Sequence, residues 1–151
     1  MITLEFPPKR GGAGTYCKEL SYAGGALGLN LKIWAPKNSN SVEKCKFVEL
    51  PFKGSQGWLC SLRLILILRR KIGSNDILHL AEPGALLAFI RFGWLLKGDQ
   101  KIIVTIHGSE LLRFGRNALS DKLFSKVMGR AFKIHVLSNY NQKKVIQRFP
   151  F

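Results

Sequence analysis

Acidic residues are scarce in this chain: nine Asp and Glu stand against 24 Lys and Arg, a formal charge of +15 over 151 residues. Such an imbalance draws polyanions, whether nucleic acid, anionic lipid or phosphorylated small molecules; the plain alternative is a solvated surface that serves solubility. Cysteine is nearly absent. Cys17, Cys45 and Cys60 form no CxxC pair and are odd in number. This argues against a disulfide framework and a zinc site, and sets a reducing compartment as the expectation. No apolar run reaches the roughly 18 residues that span a bilayer. The nearest, residues 80–96, is broken by Glu82, Pro83 and Arg91. The opening MITLEFPPKR lacks the basic-then-apolar order of a signal peptide. There is no GK[ST], no HExxH and no GxSxG, which removes the P-loop, the zinc-peptidase helix and the serine-hydrolase elbow. Internal repeats and low-complexity segments are missing as well.

What is present is a folded domain: 46% hydrophobic residues in a length that buries one core. Short β-like runs alternate with longer helical ones. Strands are expected at residues 2–6, 31–35, 46–50, 77–81, 101–106 and 134–137. Helices are expected from Thr15 to about Leu27, at 59–72, from Pro83 to about Leu96, after Asn117, and at 139–148. The 59–72 run alternates Leu like a strand at 62, 64, 66 and 68. It is read as a helix because the βα order needs a crossover there. Six strands separated by helices predict one α/β domain over residues 1–151: a doubly wound, parallel, Rossmann-like sheet with helices on both faces.

In such sheets ligands bind beyond the carboxyl ends of the strands. After the first strand, Lys9-Arg10 leads into Gly11-Gly12-Ala13-Gly14 and then a helix. A glycine turn there lets backbone N–H groups meet an anion, with the helix dipole favouring negative charge; its plain role is a tight turn and close packing. A dinucleotide fingerprint is not met, because the second strand ends Ala35-Pro36 without a carboxylate. After the fifth strand comes His107-Gly108-Ser109-Glu110. His107 can bond a hydroxyl or phosphate oxygen or act as acid or base. Glu110 either accepts a sugar hydroxyl or complements a helix start. Glu82, before Pro83-Gly84 at a helix start, reads first as structural and Ser138 as a natural helix cap; a ligand role is the further candidate for each. His79 and His135 lie inside strands and read as sheet-face residues.

Basic residues cluster with apolar ones: Arg63, Arg69, Arg70 and Lys71 beside a Leu/Ile run; Arg91, Phe92, Trp94 and Lys97; then Arg113, Arg116, Lys122, Lys126 and Arg130. Arg63, Arg70, Arg91, Trp94, Arg113 and Arg116 suit a surface that meets anionic lipid, with a solvated face as the alternative. Nucleic acid would use similar charges, but no recognised binding module is present.

Taken in order, EFPPKRGGAGTYCKEL, LKIWAP, DILHLAEPGALLA, IIVTIHGSEL and IHVLSNYNQKKVIQRFP resemble the N-terminal domain of a family 4 (group 1) glycosyltransferase over nearly the whole chain. The resemblance implies half of a GT-B architecture, two Rossmann-like domains facing a cleft. It implies a retaining, hexosyl-type transfer from a nucleotide-sugar to a saccharide or lipid-linked acceptor, in a cell-envelope polysaccharide context. No cofactor and no metal are expected, the nucleotide-sugar being a substrate. By motif match, Gly12 and Gly14 would lie near the donor phosphates and His107 would touch the transferring sugar or acceptor; Gly11 is counted with the phosphate turn, and Glu82, Glu110 and Ser138 are candidates for acceptor or sugar binding. The chain ends where the interdomain linker would start, so the C-terminal donor domain is expected to be missing and the isolated half inactive. A cytoplasmic location is expected, with peripheral association on the inner membrane face. Two rivals stay open: a nucleotide-binding Rossmann protein of another class, and a non-catalytic basic module for membranes or polyanions.

Overall fold

The computed structural model describes residues 1–96, 98, 100–114 and 116–149. Five parallel strands frame the described residues: β1 (Lys32–Ala35), β2 (Lys46–Glu49), β3 (Leu78–Leu80), β4 (Ile102–Ile106) and β5 (Ala131–Val136). Six helices alternate with them: α1 (Gly12–Ala26), α2 (Trp58–Lys71), α3 (Pro83–Phe92), α4 (Ser109–Arg113), α5 (Ala118–Gly129) and α6 (Asn139–Arg148). A 3₁₀ turn at Gly93–Leu95 follows α3.

Ile2 joins the two halves of the sheet, bridging Trp34 on one side and Leu80 on the other. Its N–H donates to the His79 carbonyl at 2.8 Å, and the Thr3 N–H to the Trp34 carbonyl at 3.0 Å. The spatial order is therefore β2, β1, residues 1–3, β3, β4, β5, with the winding direction reversing between residues 1–3 and β3. This is the doubly wound arrangement the alternation predicts, with five strands where six are expected. The first run contributes only the bridge because its later amides find other acceptors. Leu4 N–H donates to Glu82 Oε1 at 2.8 Å and Glu5 N–H to Thr3 Oγ1 at 3.1 Å, which turns the chain out of the ladder.

Side chains alternate along each strand, and the two faces are used differently. Leu78, Leu80, Val104 and Ile106 face the larger core, closed by Leu64 and Leu68 of α2, Leu86 and Phe89 of α3, and Phe124 and Met128 of α5. Each such buried side chain contributes about 1.5–3 kcal/mol. On the other face Cys17 of α1 packs with Phe6, Ile33, Ala35, Val42 and Ala81. The ambiguous Leu-rich run is a helix: Cys60, Leu64, Ile65 and Leu68 are buried at helical spacing while Leu66 is exposed. Gly54 is fixed by a close approach, since a methyl group there would lie 1.8 Å from the Leu4 carbonyl oxygen. No helix among the described residues is long and apolar enough to cross a membrane.

Candidate active site at the carboxyl edge

The loops beyond the carboxyl ends of the central strands hold Glu5, Glu82 and Glu110, and each carboxylate grips backbone amides. Glu82, 2% exposed, caps α3: Oε2 accepts from Gly84 N–H at 2.6 Å, and Oε1 from Ala85 N–H at 2.6 Å and Leu4 N–H at 2.8 Å. Burial raises its pKa, and the three amides oppose that shift. Glu110 is fully buried; its oxygens accept from His107 N–H at 3.0 Å and Gly108 N–H at 2.8 Å. Gly108 has φ +118°, a backbone state that side chains rarely adopt. Of the two roles open to Glu110 in the sequence, its contacts are those of a first-turn carboxylate. Ser138 likewise caps α6, accepting from Asn141 N–H at 3.2 Å.

Gly11 precedes α1, and Gly12 and Gly14 lie in its first turn. The Gly14 N–H donates to Glu5 Oε1 at 3.1 Å, so part of the turn already has a negative partner. The close approach of Glu5 explains two glycines: a methyl group on Gly11 would lie 1.9 Å from its Oε1, and one on Gly14 3.3 Å from its Cγ. Gly12 is different. It is exposed, and a methyl group there meets no atom within 4 Å. The Gly12 and Ala13 amides have no partner among the described residues. They remain available to an anion at the positive end of the helix, beside exposed Lys9 and Arg10.

His107 sits one residue past β4. Its Nε2 lies 2.9 Å from the Ala81 carbonyl oxygen, which can only accept, so Nε2 carries the proton. The Tyr16 ring meets the imidazole edge-on, centroids 5.2 Å apart. Carbonyl and ring fix the imidazole from two sides. Its Nδ1 has no partner among the described residues and acts as an acceptor in the neutral ring.

Tyr16 is a hub that periodicity presents only as a helix residue. Its hydroxyl lies 3.1 Å from His135 Nδ1 and 3.4 Å from Thr105 Oγ1, and Thr105 Oγ1 lies 2.8 Å from His79 Nε2. Burial pushes His79 down to about 4 and raises the Tyr16 phenol. His107 and His135 thus meet Tyr16 directly, and His79 reaches it through Thr105. Within each strand the alternation is local, and the strand registers then place His79, Thr105 and His135 on the same sheet face.

The basic candidates do not all behave alike. Arg91 is engaged: it donates to the Gln56 carbonyl at 2.7 Å and to Ser61 Oγ at 3.2 Å, and stacks 4.5 Å from the Trp58 ring. Arg63 and Arg70 are exposed on α2, and Trp94 is 66% exposed beyond α3. Arg113, the last residue of α4, and Arg116, in the α4–α5 connection, are also exposed. Lys97 lies outside the described residues.

The structure therefore brings together the glycine turn, His107, Glu82 and Glu110 at one edge, with Tyr16 and Thr105 behind them. A search of curated proteins finds no match to the chain. The model of Glycosyltransferase Family 4 matches residues 10–151, a span that contains the glycine turn, the strand-end histidine and the last strand–helix pair. On that match and the parallel Rossmann-like sheet, the chain belongs to glycosyltransferase family 4, as an N-terminal domain of that family.

Proposed function

We propose that this domain forms the acceptor side of a retaining transferase cleft, in which a hexosyl group passes from a nucleotide-sugar to a saccharide or lipid-linked acceptor. The reaction breaks the bond between the anomeric carbon and a phosphate oxygen and makes one to the oxygen of an acceptor hydroxyl, whose proton goes to the leaving phosphate. Negative charge builds on the leaving phosphate, and oriented N–H groups stabilise it most when fixed in advance. The Gly12 and Ala13 amides suit that task, with the α1 dipole behind them. Most donor contacts are assigned to a second, C-terminal domain, so the 151-residue chain alone is expected not to turn over a nucleotide-sugar.

The observation that carries the reading is the His107 imidazole: pinned through Nε2 and the Tyr16 ring of α1, with Nδ1 left without a partner among the described residues. In this role Nδ1 accepts from a sugar hydroxyl. Glu82 and Glu110 act by holding the edge in shape, with Ser138 at its margin. His107→Ala in the transferase containing this domain should lower kcat/KM about tenfold to hundredfold, the worth of one strong hydrogen bond. The melting temperature should move little, since His107 is only half-buried. Unchanged kinetics with an intact fold contradicts the assignment.

Peripheral docking on anionic membrane is part of the same proposal. Trp58, Leu59 and Leu66 are exposed on α2 with Arg63, Arg69 and Arg70, an arrangement suited to an interface with anionic lipid. Co-sedimentation with anionic but not neutral vesicles, weakened by salt, is the expected result; equal recovery with both removes this part.

A further inference from the structure

The amino edge of the sheet, opposite the cleft, carries a cavity of about 130 Å³. Leu78 and Ile102, the first residues of β3 and β4, form its floor, and Phe89, Ile90, Leu123 and Val127 its walls. Its remaining lining includes three exposed residues of a different kind: Trp94, Lys126 and Arg130. On α5 and its C-cap, Leu123, Lys126, Val127 and Arg130 recur at helical spacing, so two cations share a stripe with two core residues. Neither cation has an ion-pair or hydrogen-bond partner among the described residues, and no described carboxylate lines the cavity.

We propose that this cavity binds a single-tailed anionic amphiphile, its chain end or ring inside and its acidic head against Lys126 and Arg130. Size limits the apolar part. A cavity of about 150 Å³ takes a benzene-sized guest, so this one admits one chain end of about six carbons and excludes a two-chain lipid. Charge fixes the head: two cations without a partner among the described residues, beside an apolar hollow, favour a carboxylate, sulfate or phosphate over a neutral or cationic group. The ligand is therefore a free, monomeric acid, and its site is separate from the glycine turn and His107.

The test titrates the 151-residue chain with octanoate below its micellar concentration, with octanol and octyltrimethylammonium as neutral and cationic probes of equal chain length. The readout is the Trp94 indole N–H signal by NMR, assigned with Trp94→Phe. Octanoate should saturate and bind at least about tenfold more tightly than octanol, the effect of a charge-assisted contact, with no saturation by the ammonium probe. Lys126→Glu with Arg130→Glu should erase the preference for octanoate while keeping octanol binding. Val127→Phe, which fills the cavity, should abolish both while the rest of the spectrum stays folded. Equal binding of octanoate and octanol, or unchanged binding in Val127→Phe, overturns the proposal and leaves the cations to offset the α5 dipole. So does a Trp94 response to anionic vesicles alone, which would make this edge a membrane surface.

Discussion

Gly12 separates two meanings of the glycine turn that Gly11 and Gly14 cannot. Gly11 and Gly14 are crowded by Glu5, so their loss would disturb packing whatever the turn binds. Gly12 faces open space, and alanine is the better helix former there. Gly12→Ala should leave stability unchanged or raise it by a few tenths of a kcal/mol. If an anion approaches the Gly12 and Ala13 amides, the added methyl group should weaken pyrophosphate binding several-fold. Amide shifts during a pyrophosphate titration measure this; identical affinities would reduce the turn to packing. His79 gives a second prediction at this scale. Its folded pKa of about 4 lies below the ordinary 6.5, so the unfolded chain binds the extra proton between those values. Its contribution makes stability fall as pH drops from about 6.5 to about 4 and stay flat outside that window. Urea unfolding at pH 7, 5.5 and 4 should show a shallower fall for His79→Gln than for the parent chain. Equal slopes would mean that burial does not keep the His79 ring neutral in the folded chain.

The elements show where periodicity carries information and where it does not. Residues 139–148 read as a helix from the Ser138 cap, and α6 has those bounds. The Asn117 cap is equally legible, because its side chain accepts from Ser120 N–H at 2.9 Å to start α5. Helix α4 is absent from the sequence reading, since five residues are too few to display a 3.6-residue period. Strand β5 begins at Ala131 where Ile134 is expected, because Ala131 also continues the apolar stripe of α5 in sequence. The opening strand shortens to a bridge for a reason outside local pattern: Glu82, 78 positions away, takes the Leu4 amide. One long-range device ties the last helix down. Arg148 donates to the Leu111 carbonyl at 2.6 Å, the Phe114 carbonyl at 2.9 Å and Asp121 Oδ1 at 2.6 Å, between the rings of Phe124 and Phe149. Lysine keeps the charge but not the planar fork. Arg148→Lys should lower unfolding free energy by about 1–3 kcal/mol, read from the urea midpoint. An unmoved midpoint would make the contacts dispensable.

For the whole molecule, the parallel order was legible because strand and helix signals alternate, and so was the gathering of the candidate residues at the carboxyl edge. The construction of that edge was not. Glu82 and Glu110 are candidate ligand groups in sequence, yet their oxygens are taken by backbone amides of their own turns and, for Glu82, by the Leu4 amide that the fold brings near. Tyr16 lies 119 positions from His135, and no local pattern couples them. At this edge the carboxylates form a stabilising framework, while the Gly12 and Ala13 amides and Nδ1 of His107 have no partner among the described residues. The account rests on those groups being the ones that meet substrate. The most direct measurement is an NMR amide map of the isotopically labelled chain titrated with a nucleotide-sugar and, separately, with a free saccharide. Shifts centred on residues 11–14 and 107–110 for at least one of them, lost in His107→Ala with the fold intact, are the predicted result. Shifts confined to other surfaces, or no response to either ligand at millimolar concentration, would contradict it.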